Sequence, residues 1–287
     1  MHRLCRLIPL GVVAAIAVML VTGCGGSSSS SFPTIGAAKT YSIADFAPAV
    51  VPVAGKPTTV SFGIEQPDGA LMKKFKTGSG PHTGIHLIFV RSDLGYLIHV
   101  HPPVGADGKL AIPVTFPAPG RYRVVVDVYP ADARTQPNFQ LFRTITVRGA
   151  AAPTVLPAPG GSVTVSGYRF TMEHAAKLKA IQAGYLKIAV TGPDGKPATI
   201  TPWLGALAHA IFFRKGTLDY FHTHVCAPGA DGCTSILGGA NVTGKQTTPG
   251  VLDVGVLVPA GGTWRLFLQC EIDGHVLTAP FTIPVTP

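Results

Sequence analysis

The chain has 287 residues, of which 46% are hydrophobic and 13% charged, and its formal net charge at pH 7 is +9. This composition supplies enough apolar side chains to fill more than one core. The positive charge is thinly spread, and its densest run, Lys73-Lys74-Phe75-Lys76, lies in a predicted loop. We therefore expect a solvated or membrane-facing patch there, and no nucleic-acid partner.

Residues 1–23 have the pattern of a signal peptide. Arg3 and Arg6 precede an apolar run that ends in Val21-Thr22-Gly23-Cys24, and this run is shorter than the ~20 residues that a membrane-spanning helix needs. The segment resembles bacterial lipoprotein signals, which implies cleavage before Cys24 and a lipid on its sulfur. The protein is then expected at the cell membrane, lipid-anchored and facing outside the cytoplasm, in a periplasmic or extracellular position. Residues 24–38, rich in Gly and Ser, form a flexible tether.

The rest of the chain contains an internal repeat. The segment 60–69 matches 186–195, and 117–128 aligns without a gap with 259–270. The 34 glycines and 26 prolines separate short apolar segments, which is typical of many strands joined by turns. We predict an all-β fold of two tandem immunoglobulin-like or cupredoxin-like β-sandwich domains, at 39–149 and 162–287, with a linker at 150–161.

Two details of the repeat predict local structure. Tyr122 and Trp264 occupy equivalent positions just after a glycine turn, where an aromatic ring can plug a sandwich core. The segment 170–183 contains good helix formers, and we predict a short helical connection there.

The repeat carries a histidine triplet with the same internal spacing in each half. The first consists of His86, His99 and His101, and the second of His209, His222 and His224. In each half an apolar run, a short turn and a second apolar run ending in His-x-His predict a β-hairpin, in which residues two apart share a face. Clusters of imidazoles on strands suit Cu(II), Zn(II) or Ni(II). The sequence therefore predicts a metal site in each repeat.

The register of the first hairpin decides whether its three imidazoles converge. A turn centred on Ser92-Asp93 or on Asp93-Leu94 puts all three histidines on one face, whereas a turn centred on Asp93 itself sends His86 to the other face. The alternate residues Leu87, Phe89, Ile98 and Val100 are apolar and should face the core. The histidines are then expected in an accessible position, on the outer face, at a strand edge or beneath a loop. A preformed site should bring their nitrogens within about 4 Å of one another.

Each triplet has a candidate fourth donor. His82 lies four residues before His86 and has no counterpart in the second half. Cys226 follows His224 on the same face, where its thiolate would favour Cu(I) or Zn(II). A Cys226–Cys233 disulfide across a tight turn competes with that role, and Cys233–Cys270 is the other pairing. A Cys270 left free would be buried and inert.

Known catalytic motifs are not found in the sequence, so we expect a binding protein rather than an enzyme. Asp127 and Glu271 lie near the ends of equivalent strands and are candidates to orient imidazoles. The histidines also have a purely structural interpretation: they brace a loop such as 73–81 onto the sheet, or they line a domain contact. The alternative function is accordingly a non-catalytic immunoglobulin-like interaction or structural lipoprotein.

The segments His86-Leu-Ile-Phe-Val-Arg91, Tyr96-Leu-Ile-His-Val-His101 and His209-Ala-Ile-Phe-Phe-Arg214 carry a wider resemblance. The chain resembles a group of poorly characterised secreted bacterial lipoproteins with a duplicated histidine hairpin, associated with heavy-metal or copper handling. We expect binding of a transition metal, copper first and zinc second, for delivery, buffering or sensing, with an envelope protein as a candidate partner.

Overall fold

The computed structural model describes residues 40–77, 84–132, 137–173, 177–226, 236–237, 240–241 and 243–287. Over these residues the chain is all-β, as predicted, and residues 39–287 belong to one compact unit. The predicted signal peptide, the Cys24 lipidation site and the tether lie outside the described residues. In the described part of the chain, no helix is long and apolar enough to cross a membrane.

The first repeat is a sandwich of seven strands in two antiparallel sheets. One sheet has the order β1-β2-β5 and the other β4-β3-β6-β7, which is an immunoglobulin-like arrangement. The strands are β1 (Ser42–Ala47), β2 (Pro57–Glu65), β3 (Ile85–Arg91), β4 (Leu97–Val100), β5 (Leu110–Thr115), β6 (Gly120–Val128) and β7 (Phe139–Val147).

The second repeat has the same plan with additional short strands. They are β8 (Ser162–Val165), β9 (Tyr168–Met172), β10 (Leu178–Lys179), β11 (Gly184–Thr191), β12 (Ala206–Arg214), β13 (Tyr220–Cys226), β14 (Ile236–Leu237), β15 (Ala240–Asn241), β16 (Gly244–Thr248), β17 (Val251–Val256), β18 (Gly262–Ile272) and β19 (His275–Thr286). The order β13-β12-β18-β19 repeats β4-β3-β6-β7, and a short parallel pairing of β13 with β16 connects the two sheets. The helix predicted at 170–183 is wrong where the chain is described, because β9 and β10 pair with β11 and β19 instead.

The two aromatic plugs are confirmed. Tyr122 and Trp264 are fully buried at equivalent points of β6 and β18. The Tyr122 hydroxyl donates to the carbonyl of Ala118 at 2.7 Å, and the Trp264 indole N–H donates to the carbonyl of Ala260 at 2.9 Å. Each ring therefore fills its core and also ties the preceding turn to it.

The repeats pack against each other through the outer faces of β3–β6 and β12–β18. A third apolar cluster, which we call the inter-repeat core, joins residues of both halves: Ile88, Val90, Leu94, Val125, Ile211, Phe213 and Phe267. Strands β3 and β12 are consequently buried on both faces, which explains why their sequences are almost continuously apolar.

The segment predicted as a linker is attached to the first repeat. The Thr154 N–H donates to Asp93 at 2.7 Å, and the Arg91 guanidinium donates to both Asp93 and the Thr154 hydroxyl. Leu156 packs against the inter-repeat core. These contacts fix the connection between the repeats at the turn of the β3–β4 hairpin.

Candidate metal centre

The register of the first hairpin places its three histidines on one face. In the β3–β4 pair Leu87 lies opposite Val100 and Ile88 opposite His99, so the turn is centred on Asp93-Leu94. This is one of the two registers that favour convergence. Leu87 and Phe89 face the core of the first sandwich, as expected, and His86 and Ile88 face the other way.

The second hairpin repeats this geometry. His209 lies opposite His224, and Ile211 lies opposite His222. Because Ile211 belongs to the inter-repeat core, the second triplet also faces the contact between the repeats. Both triplets thus project from equivalent strands toward the same place.

The expectation of an accessible site is wrong. His86 and His209 are 1% and 0% exposed, and His99 and His222 are each 7% exposed. His101 and His224 are partly exposed. The outer face of each sandwich is covered by the other sandwich. The sequence of one hairpin contains no information about this contact.

The two predicted sites form one cluster of six histidines. The ring centroids of His86 and His222 are 4.8 Å apart, and those of His99 and His209 are 5.2 Å apart, across the contact between the repeats. Among the residues that the structure describes, two groups have donor nitrogens close enough to hold an ion, and both include His86. They are His86, His99 and His101; and His86, His209, His222 and His224. The shared residue makes the groups interdependent.

Within the first triplet the nitrogens converge on His99. Its Nε2 lies 3.0 Å from His86 Nδ1 and 3.1 Å from His101 Nε2. Its Nδ1 lies 2.9 Å from Oε1 of Gln269, a residue of the second repeat whose amide nitrogen donates to Thr278. Since a carbonyl oxygen only accepts, the His99 proton sits on Nδ1, and the Nε2 lone pair points into the cluster.

The second triplet brings two lone pairs against each other. His209 Nε2 donates to the carbonyl of Trp203 at 3.2 Å, and His222 Nδ1 donates to the Asp127 carboxylate at 3.4 Å. In the neutral rings this leaves His209 Nδ1 and His222 Nε2 without protons, and these two nitrogens are 3.4 Å apart. A metal ion bound to both lone pairs would relieve the repulsion between them.

Burial keeps the imidazoles of His86, His99 and His209 neutral. Desolvation, followed by the charge that the neighbouring histidines would carry, holds the pKa of His86, His99 and His209 well below the ordinary value of 6.5. A neutral imidazole is the form that binds a metal. The cluster therefore offers ligands without first having to lose protons from these three rings.

Asp127 holds the acidic position of the cluster. It is 1% exposed and lies opposite His86 in the β3–β6 pair. Its Oδ2 accepts from the hydroxyls of Tyr220 at 3.0 Å and Tyr129 at 3.4 Å. Burial, and then the charge of Asp127, raises the pKa of both tyrosines well above the usual value, so both remain donors. Asp127 thus contacts an imidazole as predicted.

Glu271, the other predicted acidic partner, does not contact the cluster. It accepts a hydrogen bond from Thr201 instead. Two further contacts were not predicted. Gln269 is the repeat equivalent of Asp127 and could have been found from the alignment of the strands. Trp203, whose ring centroid lies 5.0 Å from that of His209 and 5.8 Å from that of His99, has no such signal.

The remaining predicted donors have separate outcomes. His82 and Cys233 lie outside the described residues. Cys226 is disulfide-bonded, which leaves no thiolate there for a metal, and its pairing with Cys233 stays a prediction. Cys270 is free and buried, which excludes the Cys233–Cys270 pairing, and burial raises the pKa of its thiol to about 12.

The fold and the cluster define an all-β protein of two immunoglobulin-like sandwiches that share a group of six histidines, four of them buried. The chain belongs to the family DUF8832, a domain of unknown function, whose model matches residues 45–144 and 163–287. The matched segments coincide with the two repeats. None of the curated proteins matches the chain.

Similarity to solved structures is weak. Invasin, a bacterial integrin-binding protein, matches with a TM-score of 0.25 and 11% identity over 86% of this chain and 38% of its own. A Salmonella alpha-2-macroglobulin mutant matches with 0.26 and 13% identity over 87% and 15%. The fibronectin(III)-like modules of Clostridium thermocellum CbhA match with 0.22 and 11% over 85% and 93%. The chain thus spans well under two thirds of the first two proteins, and at these scores the fold assignment rests on strand order.

Proposed function

We propose that this protein is a non-catalytic lipoprotein of the cell envelope that binds a transition metal, copper first and zinc second, between its two repeats. A lipid on Cys24 anchors it to the membrane on the side away from the cytoplasm. The six histidines act as one centre rather than as one independent site in each repeat. Its role is delivery, buffering or sensing of the metal, with an envelope protein as the partner.

The pair His209 and His222 carries this proposal. Two ligands bonded to a zinc ion at 2.0–2.1 Å in tetrahedral geometry lie about 3.3 Å apart. The facing nitrogens of His209 and His222 are 3.4 Å apart, and outer partners direct both lone pairs inward. Such outer hydrogen bonds are the usual means by which proteins orient metal-binding imidazoles.

The spacing in the first triplet supports copper. Neighbouring ligands of a square-planar Cu(II) ion, bonded at about 2 Å, lie about 2.8–2.9 Å apart. The separations of 3.0 and 3.1 Å around His99 Nε2 are close to this value. A set of imidazoles also suits Cu(II) and Zn(II) better than Ca(II) or Mg(II), which prefer oxygen ligands.

A structural role is the second candidate, and the distances in the first triplet are also compatible with it. His86 and His101 can each donate to His99 Nε2, so this triplet can satisfy its hydrogen bonds without a metal. The histidines do line a contact between domains. The protein would then be an interaction or structural lipoprotein whose histidines hold the repeats together.

Titration of the full chain with Cu(II) and Zn(II) separates the two candidates. Trp203 lies beside the cluster, so bound Cu(II) should quench its fluorescence, and Trp203→Phe should remove that change. The variant His209→Ala/His222→Ala, which removes the pair that carries the proposal, should lose stoichiometric binding while keeping a β-type circular dichroism spectrum. Absence of binding in the natural chain, or unchanged binding with lowered stability in the variant, would support the structural role.

A further inference from the structure

A cavity of about 550 Å³ opens beside the histidine cluster. It lies between the segment that follows β2 and the segment that follows β4. Its described lining residues are Lys73, Phe75, Lys76, Thr77, His101, Pro103 and Val104. This volume is within the range of sites that bind small molecules.

His101 connects the cavity to the cluster. Its ring is partly exposed and forms part of the cavity wall. Its Nε2 lies 3.1 Å from His99 Nε2, and its ring centroid lies 4.2 Å from that of the buried His86. A molecule in the cavity can therefore contact one member of the first triplet directly.

The charge of the lining selects the occupant. Lys73 and Lys76 are the charged residues among the described lining, and the Thr77 hydroxyl adds another donor. Two ammonium groups repel a free divalent cation and attract an anion. The cavity wall also has apolar surface, which Phe75 and Val104 contribute. Phe75 is 7% exposed.

We propose that this cavity binds a small organic carboxylate, whose charged group lies near Lys73 and Lys76 and whose carbon skeleton lies against Phe75 and Val104. In the metal-loaded protein a carboxylate oxygen also completes the coordination of the ion on the side of His101. This second part rests on the proposed metal centre, whereas binding of the carboxylate in the cavity does not. Binding of a carboxylate in the cavity would give Lys73 and Lys76 a role in ligand recognition, in addition to solvation.

The first test uses the metal-free full chain in a neutral detergent. Glutarate is the probe, and glutaramide, which has a similar shape and no charge, is its control. We expect glutarate to bind and glutaramide not to. Lys73→Gln and Lys76→Gln should each weaken binding by about fivefold, which is the scale of a partly exposed ion pair.

Lys74→Gln is the matched control, because it removes one charge from the same run at a residue outside the described lining. Equal binding of glutarate and glutaramide, or equal weakening by Lys74→Gln, would overturn the cavity assignment. If the chain binds glutarate but no Cu(II), the carboxylate-binding cavity is supported and the proposed metal function is wrong.

The second test adds Cu(II) to the same chain. Glutarate should shift the visible absorption of the bound Cu(II), and Lys73→Gln should require about fivefold more glutarate for the same shift. A Cu(II) spectrum that glutarate leaves unchanged, in a chain that still binds glutarate, would overturn the coordination by the carboxylate.

Discussion

Asp127 of the first repeat and Gln269 of the second occupy equivalent positions, and each accepts a hydrogen bond from the equivalent histidine of the opposite repeat. Asp127 contacts His222, and Gln269 contacts His99. The two halves therefore exchange contacts reciprocally, as two subunits do across a two-fold axis. The exchange is asymmetric in charge, since the first repeat supplies a carboxylate at this position and the second repeat an amide.

This asymmetry predicts the effect of Asp127→Asn. The substitution keeps an oxygen for Tyr220 and Tyr129 but removes the charged acceptor of His222. Loss of an outer partner lowers metal affinity by about 10–100-fold. Competition against a chelator of known affinity measures this change. Glu271→Gln is the control, because its carboxylate binds Thr201 instead, and equal affinities in the two variants would contradict the role of Asp127.

His86 is the histidine common to both groups, which predicts a ranking of variants. His86→Gln should weaken Cu(II) binding by more than about 100-fold, the upper end of the loss that follows removal of an outer partner. His101→Gln should have a smaller effect because the group of four remains complete. The exposed His275→Gln should have none. Equal losses in His86→Gln and His101→Gln would mean that the groups are not shared in this way.

The buried neutral histidines predict a pH dependence of the metal-free protein. The pKa of His86, His99 and His209 lies well below 6.5 in the folded state, so the unfolded chain binds more protons as the pH falls through 6.5. The free energy of unfolding should therefore decrease from pH 7.5 to 5.5, by up to about 1.4 kcal/mol per pH unit for each such histidine. Urea unfolding at a series of pH values measures this slope. Stability that is constant or increases toward pH 5.5 would contradict it.

Two adjacent residues of β3, Leu87 and Ile88, allow a test of whether Cu(II) binding depends on the contact between the repeats. Ile88 belongs to the inter-repeat core and Leu87 to the core of the first sandwich. Replacement of either by Ala should cost about 2–5 kcal/mol of stability. Only Ile88→Ala should also weaken Cu(II) binding, because it loosens the faces that bring the triplets together. Equal weakening by Leu87→Ala would show that binding follows global stability instead.

Much of the fold was predictable from the repeat. Glycine and proline turns, the gap-free match of the strands and the aromatic plugs Tyr122 and Trp264 led to two sandwiches. Hairpin register was limited to a few alternatives by the period of two, and the structure has one of the two favourable ones. The choice among these registers depends on local hydrogen bonds in a four-residue turn. A pattern of apolar residues does not encode such bonds.

The union of the triplets was not predictable from either hairpin by itself. It depends on packing between residues more than 100 positions apart, such as His86 with His222. Two signals were present in the sequence. Strands β3 and β12 are apolar at successive positions, so both of their faces had to be covered. The repeat alignment also places Asp127 and Gln269 at equivalent positions. Trp203 lies outside the aligned segments and has a glycine, Gly80, at the corresponding place of the first repeat.

Anomalous diffraction from crystals of the copper-loaded protein tests the central claim most directly. The proposed centre predicts a copper peak within about 2.0–2.1 Å of both His209 Nδ1 and His222 Nε2, between the two repeats. A cluster that holds no copper, with these nitrogens still 3.4 Å apart and copper only at the protein surface, would contradict it.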